Sequence, residues 1–289
     1  MNSPLSLVRE HGWNATSFQT LSRGYRYHFH REGCVAYVDT GGAWVAAGAP
    51  FARSGELKSV ALDFTRAAEN AGRRAHFFGV ENRFVEATAG AFESLHIGEQ
   101  PVWDPRAWPE ILRAHPSLRE QLRRARAKGV RVRALEPHEL ESKPLVLALQ
   151  ALVARWQERR ALPNMGFLVS IDPLHLPEHR RCHIAERGDA IVGIVCLLPV
   201  PGRDGWFVEH IVRDPDAPNG TADLLVDSAM RFAASVGSPW LTLGLAPLSG
   251  DVARPLDWAS RSLSFRYDFS GLCSFKSKFR PREWMPLYL

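Results

Sequence analysis

The alternation of apolar and polar residues is most regular between residues 206 and 250. It predicts a strand from Trp206 to about Val212, followed by a loop that contains Pro215 and Pro218. A helix should follow. Asn219 or Thr221 is expected to cap it, because a short polar side chain accepts hydrogen bonds from the first free N–H groups.

The apolar face of this predicted helix recurs with the 3.6-residue period, at Leu224, Leu225, Ser228, Ala229 and Phe232. Gly237 suits the left-handed position that ends a helix. A second strand is then expected from Trp240 to about Leu245. Strand, loop, helix and strand in this order are typical of a ligand-binding α/β unit.

The same order of elements occurs in the first half of the chain. Residues 25–30 and 34–39 are two aromatic and β-branched runs around a glycine turn, which predicts a hairpin, and a third strand follows at 43–47. A helix is expected at about 55–71 and another strand at 74–80. Each half should therefore contain a hairpin, a third strand, a helix and a returning strand. A tandem repeat of one α/β unit explains this better than a single large sheet.

A strongly basic segment separates the two halves. Residues 117–133 contain seven Lys and Arg residues and one acidic residue, Glu120. Cap residues and a narrow apolar seam predict a helix here, and a long second helix should open near Pro144. These features place the boundary between the units at residues 134–144, which gives an N-terminal unit of residues 1–136 and a C-terminal unit of residues 137–289.

Composition is that of a globular protein with room for two cores. The chain has 289 residues, of which 45% are hydrophobic and 23% are charged. The longest apolar run, residues 190–200, is too short to cross a bilayer, and the N-terminal residues lack a secretory signal pattern. Four cysteines without CxxC spacing favour reduced thiols in the cytoplasm over disulfides or zinc. We therefore expect a cytoplasmic protein with no transmembrane segment and no metal.

The basic segment is a candidate polyanion-binding surface. Arginines spaced along a helix can follow phosphates, and the net charge of +5 favours such partners mildly. The alternative is a solvated face that keeps the protein soluble. A tRNA or an anionic headgroup layer would contact five cations in particular: Arg119, Arg123, Arg124, Arg126 and Lys128.

The loop at residues 213–220 argues against acetyl-CoA chemistry. A loop that binds the pyrophosphate of CoA at a helix N-terminus offers it glycine-rich backbone N–H groups. Here Pro215 and Pro218 remove donors, and Asp214 and Asp216 repel phosphate. The loop therefore disfavours the binding of CoA.

Three residues at the end of the first strand are candidates for chemistry. On a regular strand Glu209 and Arg213 share one face and His210 the other, unless a bulge intervenes. A carboxylate beside an arginine can bind an α-amine or accept a proton from a nucleophile. The alternative is a structural ion pair at the strand end. If Glu209 is the base, Glu209→Gln should reduce turnover strongly and leave stability nearly unchanged.

Three motifs then occur in a fixed order: RDPDAPNG at 213–220, LGLAPLSG at 243–250 and SFKSKFRP at 274–281, before a closing Tyr-Leu. Together they resemble the C-terminal domain of phosphatidylglycerol lysyltransferases, which is similar to the Fem peptidoglycan transferases. Weaker similarity covers nearly the whole chain. The resemblance implies two fused acetyltransferase-type (GNAT) units that move an amino acid from aminoacyl-tRNA to a lipid hydroxyl.

Individual residues follow from the resemblance. Lys276, Lys278 and Tyr288 match the family motif. Val212, Cys273 and Leu287 stand where arginines are expected, and Glu209 replaces an aspartate. Ser249 is a candidate substrate contact within the PLSG turn, although a lone serine there is also typical of a turn former.

The sequence thus predicts an α/β protein of two tandem GNAT-like units with aminoacyltransferase activity. Its donor would be aminoacyl-tRNA, its acceptor a hydroxyl or amine of a lipid or small molecule, and it would need no cofactor. Glu209 would act as the base, with Lys276 near the developing negative charge and His210 and Arg213 contacting substrate. Glu209, Arg213 and Lys276 should line one cavity, with Lys278 or Tyr288 near its mouth.

Two alternatives remain at this point: an acyl-CoA-dependent N-acyltransferase, and a non-catalytic binding protein that kept the fold. Contact with the anionic inner face of the membrane is also expected if the acceptor is a lipid.

Overall fold

The computed structural model describes residues 3–31, 33–159, 174–250 and 269–289. Two β-sheets run through these residues. The first sheet and the helices around it contain, in chain order, α1 Pro4–His11, β1 Arg26–His30, β2 Gly33–Asp39, β3 Ala43–Ala47, β4 Phe51–Ala52, α2 Leu57–Asn70, β5 Arg74–Phe78 and α3 Asn82–Ala87.

The remaining elements form the second sheet and the helices around it. They are β6 His96–Trp103, α4 Trp108–Ala114, α5 Pro116–Ala127, β7 Val130–Leu135, α6 Lys143–Glu158, β8 Arg181–Arg187, β9 Ala190–Val200, β10 Gly205–Arg213, α7 Thr221–Ser235, β11 Trp240–Thr242, β12 Ala246–Pro247, α8 Phe269–Ser277 and β13 Glu283–Tyr288.

The predicted repeat of two α/β units is confirmed by the strand pairing. In the first sheet β1, β2 and β3 pair antiparallel, and β5 returns parallel to β3 after α2. In the second sheet β8, β9 and β10 pair antiparallel, and β11 returns parallel to β10 after α7. Both halves therefore have the same hairpin, third strand, helix and returning strand, and the fold is that of two tandem GNAT-like units.

Each sheet buries apolar side chains on both faces. Alternate residues of β9 point in opposite directions: Val195 and Leu197 pack under α7, whereas Ile194 and Cys196 pack against α6. In the first unit α2 covers one face of the sheet. On its other face α1 and neighbouring residues pack around Leu198 of the second unit. This cluster brings the first unit against the second sheet.

The sheets do not divide at residues 136 and 137. Strand β6 hydrogen-bonds to β11, β12 and β13, and β7 pairs with β8, so both strands belong to the second sheet. The basic helix α5 also packs there, through Leu118, Leu122 and Ala125. The division by sequence followed the change in charge, whereas the strands are assigned by pairing over long separations. We propose that the units divide between α3 and β6.

Two local expectations differ from the structure. Neither Asn219 nor Thr221 caps α7; the N-cap is Gly220, with φ of 96°. An added Cβ at Gly220 would lie 2.8 Å from the Cβ of Ala125, so the close approach of α5 requires glycine there. The second strand ends at Thr242 rather than near Leu245, because the chain turns away from β10 at that point.

A buried ion pair joins the two units. Arg203, from the second unit, pairs with Glu81 from the first, and both side chains are largely buried. The Arg203 guanidinium lies over the rings of Trp13 and Trp240, at 4.4 and 4.7 Å from their centroids. Gln100 also donates to the Glu81 carboxylate, at 2.9 Å. The pair is thus enclosed by aromatic rings and hydrogen bonds from both units.

Candidate functional site

The divergence of β10 and β11 opens a cleft in the second sheet. The two strands pair only from Gly205 to Phe207 and from Trp240 to Thr242, although β10 continues to Arg213. Gly244 then takes a φ of 70°, and an added Cβ would lie 2.7 Å from the ring of Phe207. Glycine at this position lets the chain leave β11 without a clash. Backbone carbonyls after Thr242 therefore face the cleft instead of a neighbouring strand.

Lys276 occupies this cleft from helix α8. Its amine donates to the carbonyl oxygens of Gly244 and Leu245, both at 2.8 Å. The side chain is buried, and no ion pair joins it to a carboxylate in the described parts of the chain. Burial lowers the pKa of Lys276 to about 7, because the charged form loses its hydration. The amine can therefore gain and lose a proton near neutral pH.

Glu209 lies on β10 beside this cleft, at a β-bulge. The register between β10 and β9 shifts between Val208 and His210, so Glu209 is the extra residue of the bulge. Its carboxylate pairs with Arg180, and the two side chains are only 2% and 3% exposed. Gln19 of the first unit donates to the same carboxylate at 3.1 Å. Glu209 is thus one half of a buried ion pair, the structural alternative that the sequence left open.

His210 follows the bulge and is also buried. Its Nε2 atom lies 3.4 Å from the carboxylate of Glu209. The bulge cancels the strict alternation of the strand, which explains why neighbouring residues Glu209 and His210 can approach each other on one side.

These groups surround a cavity of about 360 Å³. Of the predicted site residues, Glu209, His210 and Lys276 line it, and the rest of the lining is apolar: Trp156, Val208, Ile211, Val212, Ala222, Leu243, Leu272 and Phe275. The volume suits a small ligand or part of a larger one, and the few polar groups are placed to orient it. The cavity combines a desolvated amine, a paired carboxylate and an imidazole.

Four other predicted residues are not part of this lining. Arg213 donates to the carbonyl oxygen of Ala217 in the following loop, at 3.4 Å. The Ser249 hydroxyl donates to Ala246 O at 2.8 Å and accepts from the Glu99 N–H at 3.0 Å, which stabilises the PLSG turn against β6.

Lys278 and Tyr288 also lie outside the lining. Lys278 pairs with Asp223 on α7 and lies over the ring of Phe275, 4.3 Å from its centroid. Tyr288 is in β13 and packs against the ring of His96, with centroids 5.6 Å apart and the ring planes tilted by 47°. The reason is geometric: Lys276 is in the last turn of α8, whereas Lys278 follows the end of the helix, and the two side chains point to different sides.

The predicted polyanion surface on α5 is exposed, but its cations have partners within the chain. Arg123 and Arg124 both pair with Glu120, at 2.7 and 2.8 Å. Arg126 pairs with buried Asp227 on α7 at 2.7 Å. Arg119 donates to two carbonyl oxygens at the end of α4, and Lys128, just after α5, is exposed. Arg123 and Arg124, each 70% exposed, and the exposed Lys128 are therefore accessible to an external partner.

The loop between β10 and α7 uses its backbone donors internally. The N–H of Asp216 donates to the Asp214 carboxylate at 2.9 Å, and the N–H of Ala217 donates to Asp214 O at 3.0 Å. The N–H of Thr221 donates to Pro218 O at 3.1 Å. Asp214 itself pairs with Arg155 on α6 at 2.8 Å. This arrangement disfavours a pyrophosphate at the start of α7.

Arg180, Gln19 and Trp156 were missed as site residues by sequence reasoning. Arg180 precedes β8, Gln19 lies in a short 3-10 helix, Phe18–Leu21, and Trp156 is near the end of α6. Only Trp156 carried a signal, because the apolar period of α6 turns it inward. Nothing local distinguishes Arg180 or Gln19, since their role depends on a partner far away in the sequence.

The repeated sheets and the cleft between β10 and β11 define a two-unit, GNAT-like α/β protein. The chain belongs to the family described as Phosphatidylglycerol lysyltransferase, C-terminal, whose family model matches residues 5–289. The resemblance drawn from the three motifs is therefore confirmed.

Several relatives and solved structures are similar to the chain. An uncharacterized protein of Corynebacterium glutamicum is 24% identical over 96% of this chain and 37% of its own length. The lysylphosphatidylglycerol biosynthesis bifunctional protein LysX of Mycolicibacterium vanbaalenii is 24% identical over 68% of this chain and 18% of its own length. The structure of L-PGS from Bacillus licheniformis has a TM-score of 0.83 at 20% identity, covering 99% of this chain and 89% of that chain. The chain thus spans well under half of the length of either sequence relative.

None of the helices in the described residues is both long enough and apolar enough to span a bilayer. Within the same ranges, no group of three or more His, Cys, Asp and Glu side chains is arranged to hold a metal ion.

Proposed function

We propose that this chain transfers an aminoacyl group from aminoacyl-tRNA to a hydroxyl or amine acceptor in the cavity between β10 and α8. The observation that carries the proposal is the buried amine of Lys276, which lines the same cavity as Glu209 and His210. Membership of the phosphatidylglycerol lysyltransferase family supports a lipid hydroxyl as the acceptor.

The reaction needs positioning more than covalent catalysis. The acceptor oxygen or nitrogen attacks the ester carbonyl of the donor, negative charge develops on the carbonyl oxygen, and the 3′-terminal ribose hydroxyl of the tRNA leaves. Lys276 is fixed by two carbonyl oxygens at 2.8 Å, so in its protonated form it is suited to stabilise that charge or to protonate the leaving oxygen. Because the pKa of Lys276 is about 7, the amine can take up a proton again after it has given one to the leaving oxygen.

In this proposal Glu209 orients the substrate and does not act as the base. Its carboxylate already accepts hydrogen bonds from Arg180 and Gln19, which hold it rigidly beside His210. A rigid carboxylate can orient the α-ammonium group of the donor, and His210 is then placed to accept the proton of the nucleophile.

The test is transfer by the purified chain from radiolabelled aminoacyl-tRNA to phosphatidylglycerol vesicles. Lys276→Met removes the amine while keeping the length of the side chain, and we expect a loss of about a hundredfold or more in turnover. The matched control is Lys58→Met, since Lys58 is exposed on α2. Equal activity of the Lys276→Met variant and the wild type would refute the assignment of the cavity.

The acyl-CoA alternative is tested with the same preparation. Several N–H groups of the loop of residues 213–220 donate hydrogen bonds within the loop and are not available to a pyrophosphate. Titration with CoA should therefore give no saturable binding. Saturable CoA binding that competes with aminoacyl-tRNA would favour the N-acyltransferase instead.

A further inference from the structure

Two thiols face each other across neighbouring strands of the second sheet. Cys182 on β8 and Cys196 on β9 are direct register partners, and their sulfur atoms are 2.8 Å apart. Directly opposite residues of an antiparallel pair have Cα separations of about 4.5 to 5.5 Å, which lie within the range that a disulfide spans. The backbone therefore already holds the two residues at a distance that a disulfide can bridge.

The surroundings connect this thiol pair to the proposed site. Both cysteines lie in the apolar cluster that includes Trp156, a residue of the cavity lining. Cys196 is also the register partner of His210 on β10. Arg180, which holds the Glu209 carboxylate, is two residues before Cys182.

The two thiols differ in access. Cys196 is fully buried, whereas Cys182 is half-buried. Burial raises the pKa of the Cys196 thiol well above its ordinary value, which makes it a poor first nucleophile. A small oxidant would therefore react first with Cys182, and Cys196 would follow because it is already in contact.

We propose that Cys182 and Cys196 form a site of reversible oxidation to a disulfide, with a small peroxide as the oxidant. The Cys182 sulfur attacks one peroxide oxygen, the O–O bond breaks, and a sulfenic acid and one water form. The Cys196 sulfur then attacks the sulfenic sulfur, the S–O bond breaks, and a second water leaves. The two thiols lose two electrons and two protons, and hydrogen peroxide is reduced to two molecules of water.

Bond formation also affects the proposed site. The disulfide links β8 and β9 within the apolar cluster that contains Trp156, a residue of the cavity lining. It therefore restricts the side-chain adjustments of this cluster that substrate binding in the cavity requires. This consequence rests on the proposed function: transfer activity falls on oxidation and returns after reduction with dithiothreitol.

The test counts thiols and needs no activity. The folded chain is treated with hydrogen peroxide, denatured, and alkylated with iodoacetamide. The four cysteines of the untreated chain should give four alkylated sites, and the oxidised chain should give two. Trypsin separates residues 182–187 from 188–203, so the disulfide appears as one peptide joining these two segments. Dithiothreitol restores four alkylated sites.

The control is Cys273→Ser, which leaves the thiol pair intact and should fall from three alkylated sites to one. Four alkylated sites after peroxide, a bridge to Cys34 or Cys273, or Cys182 oxidised without the linked peptide would each overturn the proposal. A linked peptide in a preparation whose reduced form also shows no transfer activity would support the disulfide and count against the proposed function alone.

Discussion

Lys276 is buried with its amine bonded to the carbonyl oxygens of Gly244 and Leu245, and its pKa is lowered from 10.5 to about 7. Below pH 7 the folded chain holds a buried ammonium, which costs free energy. Above that pH the folded amine is neutral, while the unfolded chain still binds the proton. The unfolded state thus binds more protons between pH 7 and 10.5, so stability rises with pH in this window.

We therefore predict that the wild type gains stability relative to Lys276→Met as pH rises. Between about pH 7.5 and 9.5 the difference in the free energy of unfolding should grow by up to about 1.4 kcal/mol per pH unit. Urea denaturation of both proteins across this range measures it, and other titrating groups cancel in the difference. Parallel stability curves would show that the pKa of Lys276 is not lowered.

Glu209 gives the second prediction at this scale. Glu209→Gln leaves the buried Arg180 guanidinium without its negative partner, so we expect a loss of about 3–5 kcal/mol in the free energy of unfolding. This changes the expectation from sequence that stability would be nearly unaffected. The control is Glu110→Gln, because the Glu110–Arg113 pair is exposed and should contribute about 1 kcal/mol or less. A change at Glu209 as small as that at Glu110 would contradict the prediction.

At the scale of elements, helix α5 has two different sides. Its apolar seam and Arg126 attach it to the second unit, the latter through buried Asp227. Arg123 and Arg124 point outward, each is 70% exposed, and both pair with the same carboxylate, that of Glu120. A variant that includes Arg126 would also disturb the contact with α7, so a test of nucleic-acid binding should spare it.

We predict that Arg123→Gln combined with Arg124→Gln weakens binding of aminoacyl-tRNA. If both cations contact phosphates, the slope of log affinity against log salt should fall by about 2. The control is Arg66→Gln on α2, since Arg66 is 71% exposed and pairs with Asp63 with the same i,i+3 spacing. Fluorescence titration at several salt concentrations measures the slope, and an unchanged slope would assign α5 to a solvated face.

At the scale of the whole molecule, the two units are joined by the Arg203–Glu81 pair and the aromatic rings around it. Burial raises the pKa of Glu81, and the Arg203 guanidinium opposes this rise. The pair therefore stays favourable only while both members are present.

We predict that Arg203→Met destabilises the chain by about 3–5 kcal/mol, because Glu81 is left buried without a cation. The control is Arg83→Met: Arg83 also lies over the Trp13 ring, 4.8 Å from its centroid, but its guanidinium donates to the Ser54 hydroxyl rather than to Glu81. Urea unfolding followed by circular dichroism compares the variants. Equal stabilities of the Arg203 and Arg83 variants would mean that the pair contributes little to the association of the units.

The sequence by itself determined the order of the elements and the apolar seams, because both depend on local periodicity. The hairpins, α2, α7 and the returning strands were predictable in this way. The motif resemblance also located the segment that carries Glu209, His210 and Lys276.

Only the tertiary structure decided which side chains meet. Both Gln19 and Arg180 contact Glu209, although they lie 190 and 29 residues away from it in the sequence. Neither contact has a local signature. The bulge at Glu209 inserts one residue and so changes the direction of every following side chain, which a two-residue period cannot reveal. The place of β6 in the second sheet likewise depends on hydrogen bonds to strands more than a hundred residues away. These bonds join backbone groups that every residue has, so the sequence of side chains hardly indicates which strands pair.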